Sequence, residues 1–253
     1  MKTAHALGNS LYFLLMSALP VSALVGGSDA SATNAPFTVA VLESTLFGNS
    51  YICAGSLIGP KTVLTTAGCV DGSSAISLKV RVGSLELATG GRLNYVTKIM
   101  KHPSYSSGTR DHDFAILHLT DPVTDIMPVA ISKEATLTGA PVGLYGWGQT
   151  GKLLNENPRV LQRLETTFIS AEVCEPKWSD ITQVTRNMNC DAAPEKQQGS
   201  CKRDQGGPVV SESGHLVGIM GYYDYCEPQS EGRPDINNDP QSVSGWIALI
   251  LSN

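Results

Sequence analysis

Short runs of β-forming residues, divided by turn residues, follow one another along the chain. They lie at residues 37–42, 78–82, 95–100, 115–119, 142–145, 161–169 and 215–220. In the second run Leu78, Val80 and Val82 alternate with Lys79 and Arg81, as in a strand with one buried face. Many short strands at regular spacing predict an all-β barrel or sandwich.

One helix is predicted at the C-terminal end. Asp239 is suited to cap its first turn and Pro240 to occupy that turn. An apolar stripe at helical spacing follows, formed by Val243, Trp246, Ile247, Ile250 and Leu251. We expect this stripe to pack against the β structure.

The first 23 residues have the pattern of a secretory signal peptide. Lys2 gives a positive start, residues 11–19 are mainly apolar, and Val21-Ser22-Ala23 forms a small-residue cleavage site. The apolar run is too short to span a bilayer, so we expect a secreted, extracellular protein rather than a membrane protein. Without this segment 17 basic and 23 acidic side chains remain, a balance that does not favour nucleic-acid binding.

All six cysteines lie after the predicted signal peptide: Cys53, Cys69, Cys174, Cys190, Cys201 and Cys226. An even count in an oxidising compartment predicts three disulfides, although spacing alone does not fix their pairing. The spacings match no zinc pattern, and we expect neither a metal nor another cofactor.

Several separated segments carry a resemblance to a known family. They are Leu24-Val25-Gly26-Gly27, Cys53-Ala54-Gly55-Ser56-Leu57, Leu64-Thr65-Thr66-Ala67-Gly68-Cys69, Asp113-Phe114-Ala115-Ile116-Leu117, Gly146-Trp147-Gly148, the loop Ser200 to Pro208, and Trp246-Ile247. In this order they resemble the motifs of trypsin-like serine proteases. The Gly-Ser-Leu run at 83–85 with Gly90-Gly91 is similar to the filamentous-fungal branch. The resemblance covers residues 24–253.

The resemblance implies a fold and a disulfide pattern. The fold is two packed six-stranded antiparallel β-barrels with a C-terminal helix, and the boundary between the barrels falls near residues 125–140. The implied disulfides are Cys53–Cys69, Cys174–Cys190 and Cys201–Cys226.

Two of the three catalytic positions differ from the family pattern. Gln205 stands where the nucleophilic serine belongs, and an amide cannot form an acyl-enzyme. Gly68 stands where the general-base histidine belongs, while the triad aspartate is present as Asp113. We expect no substitute base among His102, His112, His118 and His215. His112 in particular should point away from Asp113 if both lie on one strand. Asp113 is expected to bond nearby backbone or a water instead.

The neighbouring loop positions are also changed. The resemblance places Arg203 at the position where the family has a glycine, and the N–H of that glycine helps to form the oxyanion hole. An arginine resists glycine's backbone angles, so we expect that N–H to turn away. Its side chain places a cation at the cleft mouth or is an ordinary surface arginine. Asp204 is the residue that in the family pairs with the liberated N-terminal amine, here that of Leu24, and cleavage after Ala23 would expose that amine directly.

The former specificity pocket differs too. The resemblance places Gly199 at its base, where trypsin carries an aspartate. Gly221, Tyr222 and Tyr223 form its wall, and Tyr223 is expected to project into or across the pocket. Asp235 either supplies an acid to the pocket or is a loop aspartate.

These losses favour binding over catalysis. The sequence predicts a secreted, proteolytically inactive homologue that binds a protein partner as a decoy, a regulator or an enzyme inhibitor. Its sharpest version is similarity to the glucanase inhibitor proteins of plant-pathogenic oomycetes, which have a trypsin-like fold and a ruined triad. The alternative is a serine endopeptidase with weak residual activity.

Overall fold

The structure is a computed structural model of the chain, and it describes residues 24–149, 157–195, 198–223, 226 and 232–252. The predicted signal peptide, residues 1–23, lies outside this range and stays a prediction.

Strands dominate the described chain. They are β1 Ser28–Asp29, β2 Thr38–Thr45, β3 Gly48–Gly59, β4 Thr62–Thr65, β5 Leu78–Val82, β6 Arg92–Lys101, β7 Ala115–Leu119, β8 Pro141–Gly146, β9 Gln162–Ile169, β10 Met188–Ala192, β11 Pro208–Ser211, β12 Leu216–Tyr222 and β13 Asp235–Asn238. The α-helices are α1 Ala171–Cys174 and α2 Ser244–Leu251. Single 3₁₀ turns occur at Gly68–Val70, Ala75–Ser77, Glu175–Lys177 and Pro240–Val243.

The strands form two antiparallel barrels of six strands each. The N-terminal barrel closes in the order β2-β3-β4-β7-β6-β5, since β5 pairs back onto β2. In the C-terminal barrel the order is β9-β10-β13-β12-β11-β8, and the ring is closed by the pairing of β8 with β9. Two six-stranded barrels were predicted from the resemblance, and the prediction is confirmed.

The N-terminal segment crosses onto the C-terminal barrel. Strand β1 pairs with β9, and Val25 exchanges backbone hydrogen bonds of 2.9 and 3.1 Å with Gly199. The Leu24 side chain is fully buried among Val142, Leu144 and Val209. The start of the described chain is therefore fixed next to the loop that carries Gly199.

Side-chain alternation produces the barrel interiors. In β5 the side chains of Leu78, Val80 and Val82 are fully buried, while Lys79 and Arg81 face outward. This matches the sequence pattern, because a closed barrel buries one side of every strand.

The C-terminal helix follows its predicted cap. The Asp239 carboxylate accepts a hydrogen bond from the Gln241 N–H at 2.9 Å, and Pro240 begins a 3₁₀ turn that leads into α2. Val243, Ile247 and Ile250 are buried. Leu251 is 45% exposed, however, because the stripe is wider than the face that the barrel covers. Within the described residues no helix is both long and apolar enough to cross a membrane.

The three disulfides join Cys53 to Cys69, Cys174 to Cys190, and Cys201 to Cys226. This is the pairing that the resemblance implies. The first lies in the N-terminal barrel beside Gly68, and the third closes the loop that carries Gln205.

Candidate functional site

The loop of residues 201–207 holds Gln205 between the two barrels. The Gln205 carbonyl accepts a hydrogen bond from the Ala54 N–H of β3 at 3.0 Å, which ties the loop to the N-terminal barrel. The Gln205 side chain turns back on its own loop, and its Oε1 accepts a hydrogen bond from the Arg203 N–H at 2.8 Å. The amide oxygen therefore lies at the donor that the resemblance assigns to an oxyanion hole.

Arg203 itself adopts a left-handed backbone conformation, with φ of 73°. The residue takes glycine-like angles despite their cost, and its N–H is used within the loop, so the expectation that this N–H turns away from the cleft stays a prediction. The Arg203 carbonyl accepts from the Tyr51 hydroxyl at 2.9 Å, and its exposed guanidinium donates to Asn157 Oδ1 at 2.7 Å. These contacts help to hold the loop in this conformation.

Asp204 is fully buried behind this loop. Its carboxylate accepts hydrogen bonds from the Gly148 N–H at 2.7 Å and the Cys201 N–H at 2.9 Å. Burial raises the pKa of Asp204 to about 7 in spite of these two donors. Any Cβ at Gly148 would come within 2.3 Å of the carboxylate, so the glycine is required for this close approach.

Gly68 and Asp113 meet at the position of the former base. The Gly68 N–H donates to Asp113 Oδ1 at 2.7 Å. A Cβ at Gly68 would lie 3.4 Å from both Asp113 Oδ2 and the Tyr105 hydroxyl, which is ordinary contact. Burial raises the pKa of Asp113 to about 6, against the hydrogen bond from Gly68 and the charge of Arg110. At this point the Asp113 carboxyl therefore faces a residue that has no side chain.

Asp235 contacts Ser200, the residue that follows Gly199. It begins β13 and is buried, so it is a strand residue rather than a loop aspartate. Its Oδ2 accepts hydrogen bonds of 2.7 Å from both the N–H and the hydroxyl of Ser200.

The wall of the pocket is aromatic. The Tyr222 ring meets Trp178 edge to face, with 5.2 Å between the ring centroids. Tyr223 stacks on Tyr222 with 6.2 Å between the centroids and 15° between the planes. The Arg110 guanidinium also lies over the Tyr222 ring, 4.4 Å from its centroid. Gly221 has no room for a side chain, since a Cβ would lie 2.9 Å from Asn238 Nδ2. The wall is therefore a packed stack of rings and a cation.

Known proteins match this chain along nearly all its length. The sequence profile of the family described as Trypsin matches residues 24–247. The chain belongs to the trypsin family. Trypsin 5G1 of Aedes aegypti is 32% identical over 232 residues, which cover 90% of this chain and 84% of that protein. Trypsin-4 of Rattus norvegicus is 30% identical over 256 residues, with coverage of 96% and 98%. Serine protease 1 of Canis lupus familiaris is 29% identical over 235 residues, which cover 90% of both chains.

The histidines of this trypsin-family chain make contacts of their own. His112 has a φ of 52° and stacks on His102 at 4.8 Å, so it lies in a left-handed turn and not on the expected strand. His118 lies within β7 opposite Lys98, and His215 Nδ1 lies 3.0 Å from the Ser213 hydroxyl. Within the described chain no hydrogen bond joins any of these histidine rings to Gln205, and the absence of a substitute base stays a prediction.

The sequence of this trypsin-family member did not indicate two of the residues that lie near Gly68 and Tyr222. Tyr105 fills space beside Gly68, and Arg110 covers Tyr222. Both precede Asp113 in one loop, which is the only signal that the sequence offers. The left-handed φ of 55° at Arg110 has no signature in the residue type.

Proposed function

We propose that this trypsin-family chain is secreted, has no proteolytic activity, and acts by binding another protein as a decoy, a regulator or an enzyme inhibitor. The observation that carries the proposal is the hydrogen bond from the Arg203 N–H to the Gln205 side chain. A residue that cannot attack a carbonyl stands at the nucleophile position, and it uses an oxyanion donor for itself.

The chemistry supports inactivity in two independent ways. An amide at residue 205 gives no acyl-enzyme, and Gly68 has no group that takes a proton. Loss of the serine or the histidine from such a triad costs about 10⁶-fold in turnover, and loss of both costs little more. The background that oxyanion donors can still supply, about 10³–10⁴-fold over water, is reduced here because Gln205 Oε1 occupies the Arg203 N–H.

The surface around the former cleft is suited to a protein partner. Tyr222, Tyr223, Arg110 and Arg203 lie along it, and Tyr and Arg are frequent anchors in interfaces. Tyr225, which we also assign to this surface, lies outside the described residues.

The tip of the β2–β3 hairpin is a second candidate surface for a partner. Leu46 and Phe47 are 98% and 100% exposed there. The Thr45 side chain fixes the turn, since it donates to the Gly48 carbonyl at 3.0 Å and accepts from the Phe47 N–H at 3.2 Å. The same hairpin carries Tyr51, whose hydroxyl bonds the Arg203 carbonyl. Two fully exposed apolar side chains on one hydrogen-bonded turn favour a role in partner binding.

Labelling with a fluorophosphonate probe tests the inactive part of the proposal. The protein should show no labelling above that of a heat-denatured sample. The matched variant carries Gly68→His and Gln205→Ser together, and the space at Gly68 admits the new Cβ. Labelling of the double variant alone supports the proposal. Clear labelling of the unaltered protein would establish the residual endopeptidase instead.

Inhibition of a plant endoglucanase is the sharpest version of the binding role. Its support is the shared fold with a lost triad, which is an argument by analogy. The test is an endoglucanase assay with increasing amounts of this protein, with the Phe47→Ser variant as the control for the hairpin surface. Dose-dependent inhibition that weakens in the variant supports this version. If no enzyme is inhibited, the glucanase version fails, and capture of partners from the secretome of the organism's host or prey then tests the general binding role.

A further inference from the structure

An open cavity of about 630 Å³ lies on the N-terminal barrel, away from the former cleft. Strand β7 separates the two: Asp113 precedes its first residue, whereas His118 and Leu119, at its other end, line the cavity. At about 3.3 Å per residue the two sites are roughly 16 Å apart along the strand. The cavity therefore shares no residue with the cleft, and its volume is typical of small-molecule sites.

Two lysines and a histidine lie at the edge of the cavity formed by β6 and β7. Lys98 of β6 is directly opposite His118 of β7, and Lys61 precedes Thr62, which is opposite His118 on the other side. Lys61 and Lys98 are exposed, and within the described part of the chain neither ammonium forms an ion pair. Burial and then the charge of Lys98 lower the pKa of His118, so the field of that lysine reaches the ring.

The cavity lining carries no opposing charge. The described residues that line it include no Asp or Glu. Local positive charge of this kind stands out in a chain whose net charge is -5. Two unpaired ammonium groups on one cavity attract an anion, and the anion gains more where part of the site is shielded from water.

The rest of the lining consists of three apolar residues and two threonines, Thr97 and Thr120. Met100 of β6, Leu119 of β7 and Ile250 of α2 contribute to it. Leu119 and Ile250 are 3% and 8% exposed, so a ligand would touch only their outermost atoms, while the half-buried Met100 offers more apolar surface. A ligand for this cavity therefore needs both an anionic group and an apolar body.

We propose that the cavity binds a small amphiphilic anion, with a carboxylate or sulfate head held by Lys61, Lys98 and His118 and an alkyl chain against Met100, Leu119 and Ile250. Lipid-derived carboxylates and alkyl sulfates share this chemistry. The site is independent of the role proposed for the former cleft.

Isothermal titration calorimetry with octanoate and with octyl sulfate below their micellar concentrations tests the proposal. Octyl glucoside, with the same chain and no charge, is the ligand control. We expect saturable binding of at least one anion, weaker binding at high salt, and about tenfold weaker or no binding of the glucoside. Binding by octanoate only or octyl sulfate only identifies which head group the site accepts.

Variants locate the binding. Lys61→Gln and Lys98→Gln, combined, should weaken anion binding about tenfold or more. Lys133→Gln, at an exposed lysine that does not line the cavity, should leave it unchanged. All three positions are exposed, so folding is preserved, and thermal melts verify this. Undetectable anion binding, equal affinity for the uncharged glucoside, or full affinity in the double lysine variant would each overturn the proposal.

Discussion

Gln205 Oε1 lies 2.8 Å from the backbone nitrogen of Arg203, two residues earlier in the same loop. The loop thus satisfies internally a donor that an active protease keeps available for its substrate. This contact exists because Arg203 accepts a left-handed φ of 73° and so directs its N–H into the loop. The strain at Arg203 and the self-bonded loop are two aspects of one conformation.

Arg203→Gly should increase the free energy of unfolding by about 1 kcal/mol. Glycine adopts the left-handed angles without a Cβ clash, and the hydrogen bond lost to Asn157 is exposed. Chemical denaturation measures the change. Lys202→Gly is the matched control: it alters the adjacent residue, which has no positive φ, and should be neutral or destabilising. A loss of stability in Arg203→Gly would show that the side-chain contacts outweigh the strain.

Asp113→Asn should reduce the pH dependence of stability, while the buried Asp191 and Asp204, whose pKa values burial also raises, retain the rest of it. In the folded protein burial raises the pKa of Asp113 to about 6, above the usual 3.8. The folded state therefore holds a proton that the unfolded chain has lost between about pH 4 and 6, and stability falls as the pH rises through that window. Asparagine keeps an acceptor for the Gly68 N–H and does not titrate, so the variant should be more stable at pH 8, by about 2 kcal/mol or less.

Thermal melts from pH 4 to 8 measure this effect. Asp71→Asn is the control, since Asp71 lies nearby and forms an exposed ion pair with Lys101. It should retain the decline in stability between pH 4 and 6. An Asp113→Asn protein with the unaltered pH profile would contradict the assignment of that decline to Asp113.

Asp111→Ala should destabilise the protein by about 2–3 kcal/mol. Asp111 Oδ1 accepts from the Thr185 hydroxyl at 2.8 Å and from Asn187 Nδ2 at 3.1 Å, so it joins the N-terminal barrel to the C-terminal one. It also holds a loop with two left-handed residues, Arg110 and His112. Urea denaturation measures the loss, and Asp125→Ala, which breaks an exposed ion pair with Arg92, should cost less than about 1 kcal/mol.

The pH profile of that contribution follows from the same contacts. Burial acts to raise the pKa of Asp111, but the hydrogen bonds from Asn187 and Thr185 and the charge of His112 hold it below its usual value. Its stabilising contribution should be complete above pH 4 and decrease as the pH falls further. Equal costs for Asp111→Ala at pH 7 and pH 2 would refute this reading.

Secretion should yield a chain that begins at Leu24. The buried Leu24 side chain and the Val25–Gly199 pairing fix this segment on the C-terminal barrel. A free Leu24 amine would then pair with the buried Asp204, so folding would need no activating cleavage. N-terminal sequencing of the secreted protein checks this, and a start upstream of Leu24 would defeat it.

Asp204→Ala tests the same region by stability. It removes the acceptor of the buried Gly148 and Cys201 N–H groups, and we expect a loss of about 3 kcal/mol or more. Glu165→Ala, at an exposed acid of β9, is the control and should change stability by less than about 1 kcal/mol. If the two variants are equally stable, Asp204 does not organise the loop.

Periodic features of this fold could be predicted from the sequence, and special backbone conformations could not. The alternation from Leu78 to Val82 indicates its strand because burial on one face fixes the residue type. His112 was assigned to a strand and lies in a left-handed turn, which Asp111 stabilises through contacts with the distant Asn187. Such long-range anchoring leaves no local pattern. At the site, the sequence shows directly which residues stand at positions 68 and 205. It does not indicate that the Gln205 side chain accepts a hydrogen bond from the Arg203 N–H.

Gly206 and Gly207 show why the loop keeps the glycines of the trypsin-family pattern although Gln205 stands at the serine position. A Cβ on Gly206 would lie 2.2 Å from Thr65 Oγ1 and 2.3 Å from the Ala54 carbonyl, and one on Gly207 would lie 2.3 Å from Met220 Cε. Gly206 is therefore constrained by the seam between the barrels and Gly207 by packing within the C-terminal barrel, whereas the half-buried Gln205 side chain bonds the Arg203 N–H of its own loop. A scaffold divided in this way can exchange the residue at position 205 while the two glycines that follow keep the shape of the loop.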